Sequence, residues 1–227
     1  MAGRTVNVPD NVENVVGVGC TAREIVYLDA EDKIVGIEQM ESDSKGGWGN
    51  ELPYIKSNEK LIKLPIIGNA KTDTVDYEKL SSLKPDVVFA GTPEQANLIQ
   101  NKTGIPTFVT YVGAVGTEQQ MEKYENSLIM MGKILGKEDR ANELIGYMDE
   151  IEDDLEKRVE HAKKDKTVYV AGQAFYGVHG ITSTNHYYPS FTHLNTTNVV
   201  NGVGGDNATI HAIQVDKEQL IKWNPDY

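Results

Sequence analysis

One cysteine, Cys20, is all that the 227 residues contain. That excludes an internal disulfide framework and any cysteine-built metal cluster. No apolar run reaches the roughly 20 residues that a membrane-spanning helix requires. Basic residues are scarce too: 22 Lys and Arg stand against 34 Asp and Glu, for a net charge of −12. This balance argues against nucleic acid, whose phosphates need clustered cations, and against anionic lipid bound through a basic patch. It does not argue against a small ligand, because the field in a pocket can differ from the net charge. The ordinary source of the acidity is a solvated surface, as in the helical run Asp149–Asp154. Met1–Val6 lacks the apolar stretch of an export signal, so either the protein is cytoplasmic or its signal has been removed. Enzyme signatures are missing as well: there is no H-E-x-x-H and no G-x-S-x-G. Gly17-Val18-Gly19 lacks the third glycine of a dinucleotide fingerprint, and Gly202–Asn207 lacks the order of a phosphate loop.

What is present reads as an α/β protein. Hydrophobic residues make up 39% and charged residues 25%, the mixture of an ordinary globular chain, long enough for two modest lobes. Residues 14–19 form an expected first strand, and Thr21 can cap a helix containing Glu24, Ile25 and Leu28. Ile34–Ile37 is a second strand and 41–51 a glycine-rich loop. A helix from Asp76 to Leu83, a strand from Val87, a helix over 93–101 and a strand over 107–111 follow. Such alternation predicts a largely parallel sheet. From Glu118 to about Lys164 the apolar period becomes helical, with a break at Gly136–Asp139. The second helix, on the order of 25 residues and 37 Å, suits a rigid spacer between lobes; two packing helices of one domain would give the same pattern. Strand signal returns at Lys166–Gly172.

A repeat supports the two-lobe reading. Val75-Asp76-x-Glu78-x-Leu80, followed by Pro85-Asp86, recurs as Val215-Asp216-x-Glu218-x-Leu220, followed by Pro225-Asp226, at a constant offset of 140 residues. Asp76 and Asp216 are expected helix caps with a glutamate in the first turn, and the proline ends each helix. Local helix punctuation alone can produce such a match; the shared offset points instead to two related lobes. We therefore expect an N-terminal lobe over 1–117, a helical segment over 118–165 and a partial C-terminal lobe over 166–227. In the first lobe Pro-Asp is followed by strand, helix and strand, so the second lobe is expected to continue in a longer protein.

Open α/β sheets bind ligands outside the carboxyl ends of their strands. That rule selects Cys20, Thr21, Arg23, Trp48, Asn69, Thr72, Gly91, Thr92 and Tyr111 in the first lobe. In the second it selects Gln173, Phe175 and Tyr176. Trp48, in Gly46-Gly47-Trp48-Gly49-Asn50, is either a stacking platform for a flat ligand or a loop anchor in the core. Arg23 is either a partner for a ligand carboxylate or a solvated helix residue. Residues 176–193 hold three of the five histidines, His179, His186 and His193, with Tyr187 and Tyr188 among them. Imidazole nitrogen ligates iron, cobalt, nickel or zinc, and tyrosine oxygen can ligate ferric iron. Polar loop residues satisfied by backbone and water are the alternative.

Several ordered segments carry a family resemblance. They are Asp-Lys-Ile-Val-Gly-Ile (32–37), Leu-Pro-Ile-Ile-Gly-Asn (64–69), Val-Asp-Tyr-Glu-Lys-Leu (75–80), Leu-Lys-Pro-Asp-Val-Val-Phe-Ala (83–90), Gly-Ile-Pro-Thr-Phe-Val (104–109), a long helix and Asn-Pro-Asp (224–226). Together they resemble the substrate-binding proteins of ABC importers for ferric siderophores, haem and cobalamin, the helical-backbone class of periplasmic binding proteins. The resemblance implies two Rossmann-like lobes with parallel sheets joined by one long helix, and a ligand held between them without an intrinsic cofactor. It also implies an exported, lipid-anchored protein that docks on a membrane permease through an acidic residue on each lobe, with Glu51 a candidate. The expected guest is a metal chelate. Two other readings remain: a free metal ion held by His179, His186 and His193, and a metal-dependent hydrolase built on the same loop.

Overall fold

The computed structural model describes residues 3–45, 47–113, 115–163, 165–173, 180–203 and 212–227. The protein is mixed α/β and divides into two compact units. The first comprises Met1–Val112 and Glu125–Leu144, the second Gly113–Tyr124 and Ile145–Tyr227.

The first unit opens with β1 (Val15–Val18) and α1 (Ala22–Tyr27), then β2 (Ile34–Glu38), the short α2 (Pro53–Lys56), β3 (Ile66–Asn69) and β4 (Thr74–Val75). It continues through α3 (Tyr77–Leu83), β5 (Val87–Ala90), α4 (Pro93–Thr103) and β6 (Thr107–Val109). The six strands form one sheet in the order β4-β3-β2-β1-β5-β6. All neighbours are parallel except β3 and β4. β1 pairs with β5 residue for residue from Val15↔Val87 to Val18↔Ala90. Burial on both faces explains the unbroken apolar spelling of β1 and β5, and both strands are buried throughout. Two layers of core cover the sheet. One contains Val15, Ile25, Leu28, Ile37 and Phe89; the other contains Val16, Val18, Leu80, Ala96 and Ile99.

Two helices follow, α5 (Glu118–Leu135) and α6 (Glu138–Val159). The break falls at Gly136, whose φ of 68° stops α5 in the left-handed conformation that suits glycine. Each helix contributes residues to both units. Among the described residues no helix is long and apolar enough to cross a membrane.

The second unit has shorter strands. β7 (Thr167–Val168), β8 (Ser183–Thr184), α7 (Pro189–His193), β9 (Thr197–Asn198), β10 (Ile213–Gln214) and α8 (Lys217–Trp223) follow in order. β7 pairs with β9 in parallel and β10 with β8 antiparallel. The strand expected over 166–172 is confined to β7.

The sequence repeat is a structural one. Both repeat helices end on a non-glycine residue in the left-handed conformation, Lys84 at φ 50° and Asn224 at φ 45°. Past each end, the aspartate of Pro-Asp caps the entry to its unit's first strand. Asp86 Oδ2 accepts from the Glu13 and Asn14 N–H groups at 2.9 and 2.8 Å. Asp226 Oδ2 accepts from the Thr167 N–H at 2.8 Å and the Thr167 hydroxyl at 3.1 Å, and these bonds hold the Asp226 carboxyl below its ordinary pKa. The start of the helix differs between copies. Asp76 accepts from the Lys79 N–H at 2.9 Å as expected, whereas Asp216 occupies the cap position without a side-chain bond. Thr21 departs in the same way: it precedes α1 but makes no cap bond, because its hydroxyl donates to the Phe89 carbonyl at 3.0 Å.

Asp86→Ala removes two strand-entry bonds, and should lower stability by about 1–2 kcal/mol. Urea denaturation checks this; Glu78→Ala, on the same repeat but without such a role, should change the midpoint far less.

Candidate functional site

The carboxyl ends of β1, β2, β3 and β5 form one continuous rim in the first unit. After β1 the chain turns through Gly19 and Cys20, both left-handed, at φ 66° and 69°. β2 ends in Glu38, and the chain then folds into a short turn over Gln39–Glu41. The Cys20 N–H donates to Glu38 Oε2 at 3.1 Å, and Cys20 Sγ meets Met40 Sδ at 3.6 Å. The Trp48 N–H donates to the Met40 carbonyl at 2.7 Å, anchoring the loop to β2. Gly47 is required here, because a side chain on it would collide with the carbonyls of Ser42 and Gln39. Trp48 itself faces outward, 47% exposed. The Lys71 ammonium sits 4.3 Å from the centre of its ring. Lys71 is placed by Asn69, whose Oδ1 accepts the Lys71 N–H at 2.9 Å while its Nδ2 donates to Gln39 Oε1 at 2.8 Å.

Beneath the rim lie three buried carboxyls. Glu38 and Glu41 bracket the turn, each side chain taking the other's backbone N–H, with Glu38 N to Glu41 Oε2 at 2.9 Å. Glu41 Oε1 also accepts from the Tyr54 hydroxyl at 2.9 Å. Burial pushes the Glu41 pKa up to about 7, and the neighbouring Glu38 and Glu24 charges add to the rise. Burial likewise raises Glu38 and Glu24. Desolvation and the Glu38 charge push the Cys20 thiol up to about 11, so Cys20 is a poor nucleophile at neutral pH.

Of the residues selected from sequence, Cys20, Trp48, Asn69, Thr72, Gly91 and Thr92 lie along this rim. Thr72 shares a hydroxyl bond with Thr74 at 2.9 Å. Thr92 caps α4 by accepting from the Gln95 N–H at 3.2 Å. The Tyr111 N–H is taken by Ser127 Oγ at 3.0 Å. Two of the selected residues are bonded within the first unit. Thr21 is fully buried on the Phe89 carbonyl, and Arg23 pairs with Glu24 at 2.6 Å. Sequence reasoning missed Glu38, Glu41 and Lys71, together with the Gln95 Nε2 bond to Asp73 Oδ1 at 2.8 Å beside the same rim. An acid closing an otherwise apolar strand, with a second acid three residues on, is the signal that Glu38 and Glu41 carried.

The second-unit candidates have separate surroundings. Gln173 accepts the Ser183 hydroxyl on its carbonyl at 2.7 Å. Phe175, Tyr176 and His179 lie outside the described residues. His186 is buried, with Nδ1 2.7 Å from the Val203 carbonyl and its ring 5.3 Å from that of Tyr187. The Tyr188 ring packs 5.2 Å from that of Phe191, tilted by 59°. His193 Nε2 stands 3.8 Å from Glu152. Among the described residues no group of three or more His, Cys, Asp or Glu side chains is placed to hold a metal ion.

Comparison with known proteins adds three findings. Residues 15–227 match the family described as periplasmic binding protein. A petrobactin-binding protein of Bacillus subtilis, YclQ, is 26% identical over 176 residues, which is 78% of this chain and 52% of that protein. The chain thus spans about half the length of that curated relative. Among solved structures, the molybdate-binding protein MolA of Haemophilus influenzae aligns with a TM-score of 0.70 at 22% identity, over 99% of this chain and 70% of MolA. A periplasmic heme-binding protein of Pseudomonas aeruginosa aligns with a TM-score of 0.61 at 17% identity, over 95% of this chain and 70% of that one.

The buried acids predict an unusual pH dependence. A carboxyl whose pKa is raised by folding keeps its proton after the unfolded chain has released it, so its stability contribution fades as pH rises. For Glu41 the window runs from 4.5 to about 7. In a Trp223→Phe background, where Trp48 alone reports, the urea midpoint should fall between pH 5 and pH 7.5. Glu41→Gln should flatten that slope.

Proposed function

The chain belongs to the periplasmic binding protein family, the substrate-binding proteins of ABC transporters, and from that premise we propose that it captures a metal chelate outside the cytoplasm for delivery to a membrane permease. The observation that carries the ligand class is the Trp48 platform. An indole half-exposed on a glycine loop presents a flat face on which a ligand ring can stack. Lys71 beside it supplies a positive charge in a chain whose net charge is −12. A flat, anionic chelate such as a ferric catecholate matches both features: its ring stacks on the indole and its charge meets the ammonium.

The guest is held rather than transformed. Among the described residues, Cys20 has a raised pKa and Glu38 and Glu41 are buried and engaged with backbone, so none of these three is poised as an activated nucleophile or an exposed acid–base group. Ligands named for relatives differ, petrobactin for YclQ and molybdate for MolA, so the platform and not the family supports the choice of a chelate.

Titration of Trp48 fluorescence in the Trp223→Phe protein tests this. A ferric catecholate should quench it saturably, and in isothermal calorimetry on the otherwise natural sequence Trp48→Ala should weaken binding roughly tenfold, the scale of a lost aromatic stack. Lys71→Ala should weaken it by a smaller factor that shrinks as salt rises. Saturable binding of molybdate or bare Zn²⁺ with no response to any chelate would overturn the reading.

A further inference from the structure

Trp48 and Lys71 stand on different loops, one after β2 and one after β3, and two side-chain amides join those loops. β2 and β3 run parallel, with Ile37 opposite Ile66 and Glu38 opposite Gly68, so both loops leave the same end of the sheet. Past that pairing the backbones turn at once, through Gln39–Glu41 after β2 and through Ala70–Thr72 after β3. A relay of side chains takes over from the strands. The Lys71 N–H donates to Asn69 Oδ1 at 2.9 Å. Asn69 Nδ2 donates to Gln39 Oε1 at 2.8 Å. Gln39 Nε2 then donates to the Lys45 carbonyl at 2.9 Å, in the loop that carries Trp48.

The direction of this relay is fixed at both ends. A backbone N–H only donates, so Lys71 requires the oxygen of Asn69. A backbone carbonyl only accepts, so Lys45 requires the nitrogen of Gln39. The donor left on Asn69 and the acceptor left on Gln39 meet in the middle. Flipping either amide breaks two of these bonds, and bonds aligned in one sense polarise one another. Each loop is also tied elsewhere. The Trp48 N–H reaches the Met40 carbonyl at 2.7 Å, and Asp73, just past Lys71, accepts from Gln95 Nε2 at 2.8 Å. The relay thus spans two anchored loops and sets their spacing, with the Lys71 ammonium 4.3 Å from the centre of the Trp48 ring. A long, exposed lysine side chain loses rotamer freedom when it settles on a ring, and a weak contact survives that loss best when the backbone beneath it is already placed.

We propose that Gln39 and Asn69 are positioning residues for the Trp48 platform: through the Lys71 backbone they hold the ammonium on the indole, and so set the preference of the site for an anionic ring over a neutral one. The role of the platform rests on the import reading above, and the relay rests on the geometry of the first unit alone. Asn69 is a ligand-binding candidate from sequence, but both ends of its amide are engaged within the protein, so it acts through Lys71. When the relay is broken, the Lys71 turn drifts from the Trp48 loop. An anionic ring then loses its charge partner, while a neutral ring no longer has an ammonium to displace.

The first test needs no ligand. The indole shields the Lys71 ε-methylene protons, and ¹H–¹³C NMR of the free protein reads that shielding, assigned by its loss in Trp48→Leu. Gln39→Met and Asn69→Ala should each remove most of it, and using both guards against one variant that fails to fold. Glu78→Ala, outside the relay, should leave it in place. Full shielding in both folded relay variants, or an equal loss in Glu78→Ala, would refute the relay. The preference is read by calorimetry with a ferric catecholate. Asn69→Ala should weaken binding about threefold at low salt and flatten its salt dependence, as Lys71→Ala does; an undiminished salt dependence in Asn69→Ala would end the claim on preference. The two readings fail separately: absence of binding to the natural sequence counts against the chelate, and the NMR of the free protein still decides the relay.

Discussion

β1 is the strand on which the rim depends. It is hydrogen-bonded in parallel to β2 on one edge and β5 on the other, and all four of its residues are buried. With both edges and both faces committed, its register cannot slip without breaking the ladders to both neighbours at once. The height at which β1 stops therefore fixes the Gly19–Cys20 turn, and the turn fixes what it touches. Cys20 N–H reaches Glu38, Cys20 sulfur meets Met40, and the Met40 carbonyl holds the Trp48 loop. A chain of short contacts thus converts strand pairing in the core into the position of an exposed indole.

The carboxyls beneath the rim work against stability and in favour of definition. Glu24, Glu38 and Glu41 are all buried, and burial raises the pKa of each. Apolar residues of similar volume would avoid that desolvation. In exchange, Glu38 and Glu41 tie the turn after β2 into one geometry by exchanging backbone bonds, which a greasy core could not do. The arrangement accepts an electrostatic penalty in the layer that positions the platform.

The α/β alternation, the sheet and the repeat were legible in the chain because they rest on periodicity and on proline, which act locally. Val87–Ala90 reads as a buried strand from its spelling alone, and the match of Asp86 with Asp226 proved to be a shared strand-entry cap. What escaped depended on partners distant in sequence. Thr21 looks like a helix cap until Phe89, 68 residues away, claims its hydroxyl. Gln95 looks like half of a capping box until Asp73 draws its amide aside. Arg23 reads as a lone helix cation until Glu24 proves to be buried beside it and paired with it. Trp48 was read two ways, and only the fold of its glycine loop decided for the exposed one.

On the proposed reading of Trp48 as a ligand platform, the ammonium resting on it also has a meaning for selection among solutes. An exposed contact of this kind is worth about 0.5–1 kcal/mol, and an arriving ring must first dislodge it. Lys71 is thus a tethered competitor, always present at a concentration that no dilution reduces. Casual aromatic passers-by, whose stacking merely equals that contact, gain nothing from landing there. Only a visitor that also gives the displaced lysine a new anionic companion comes out ahead.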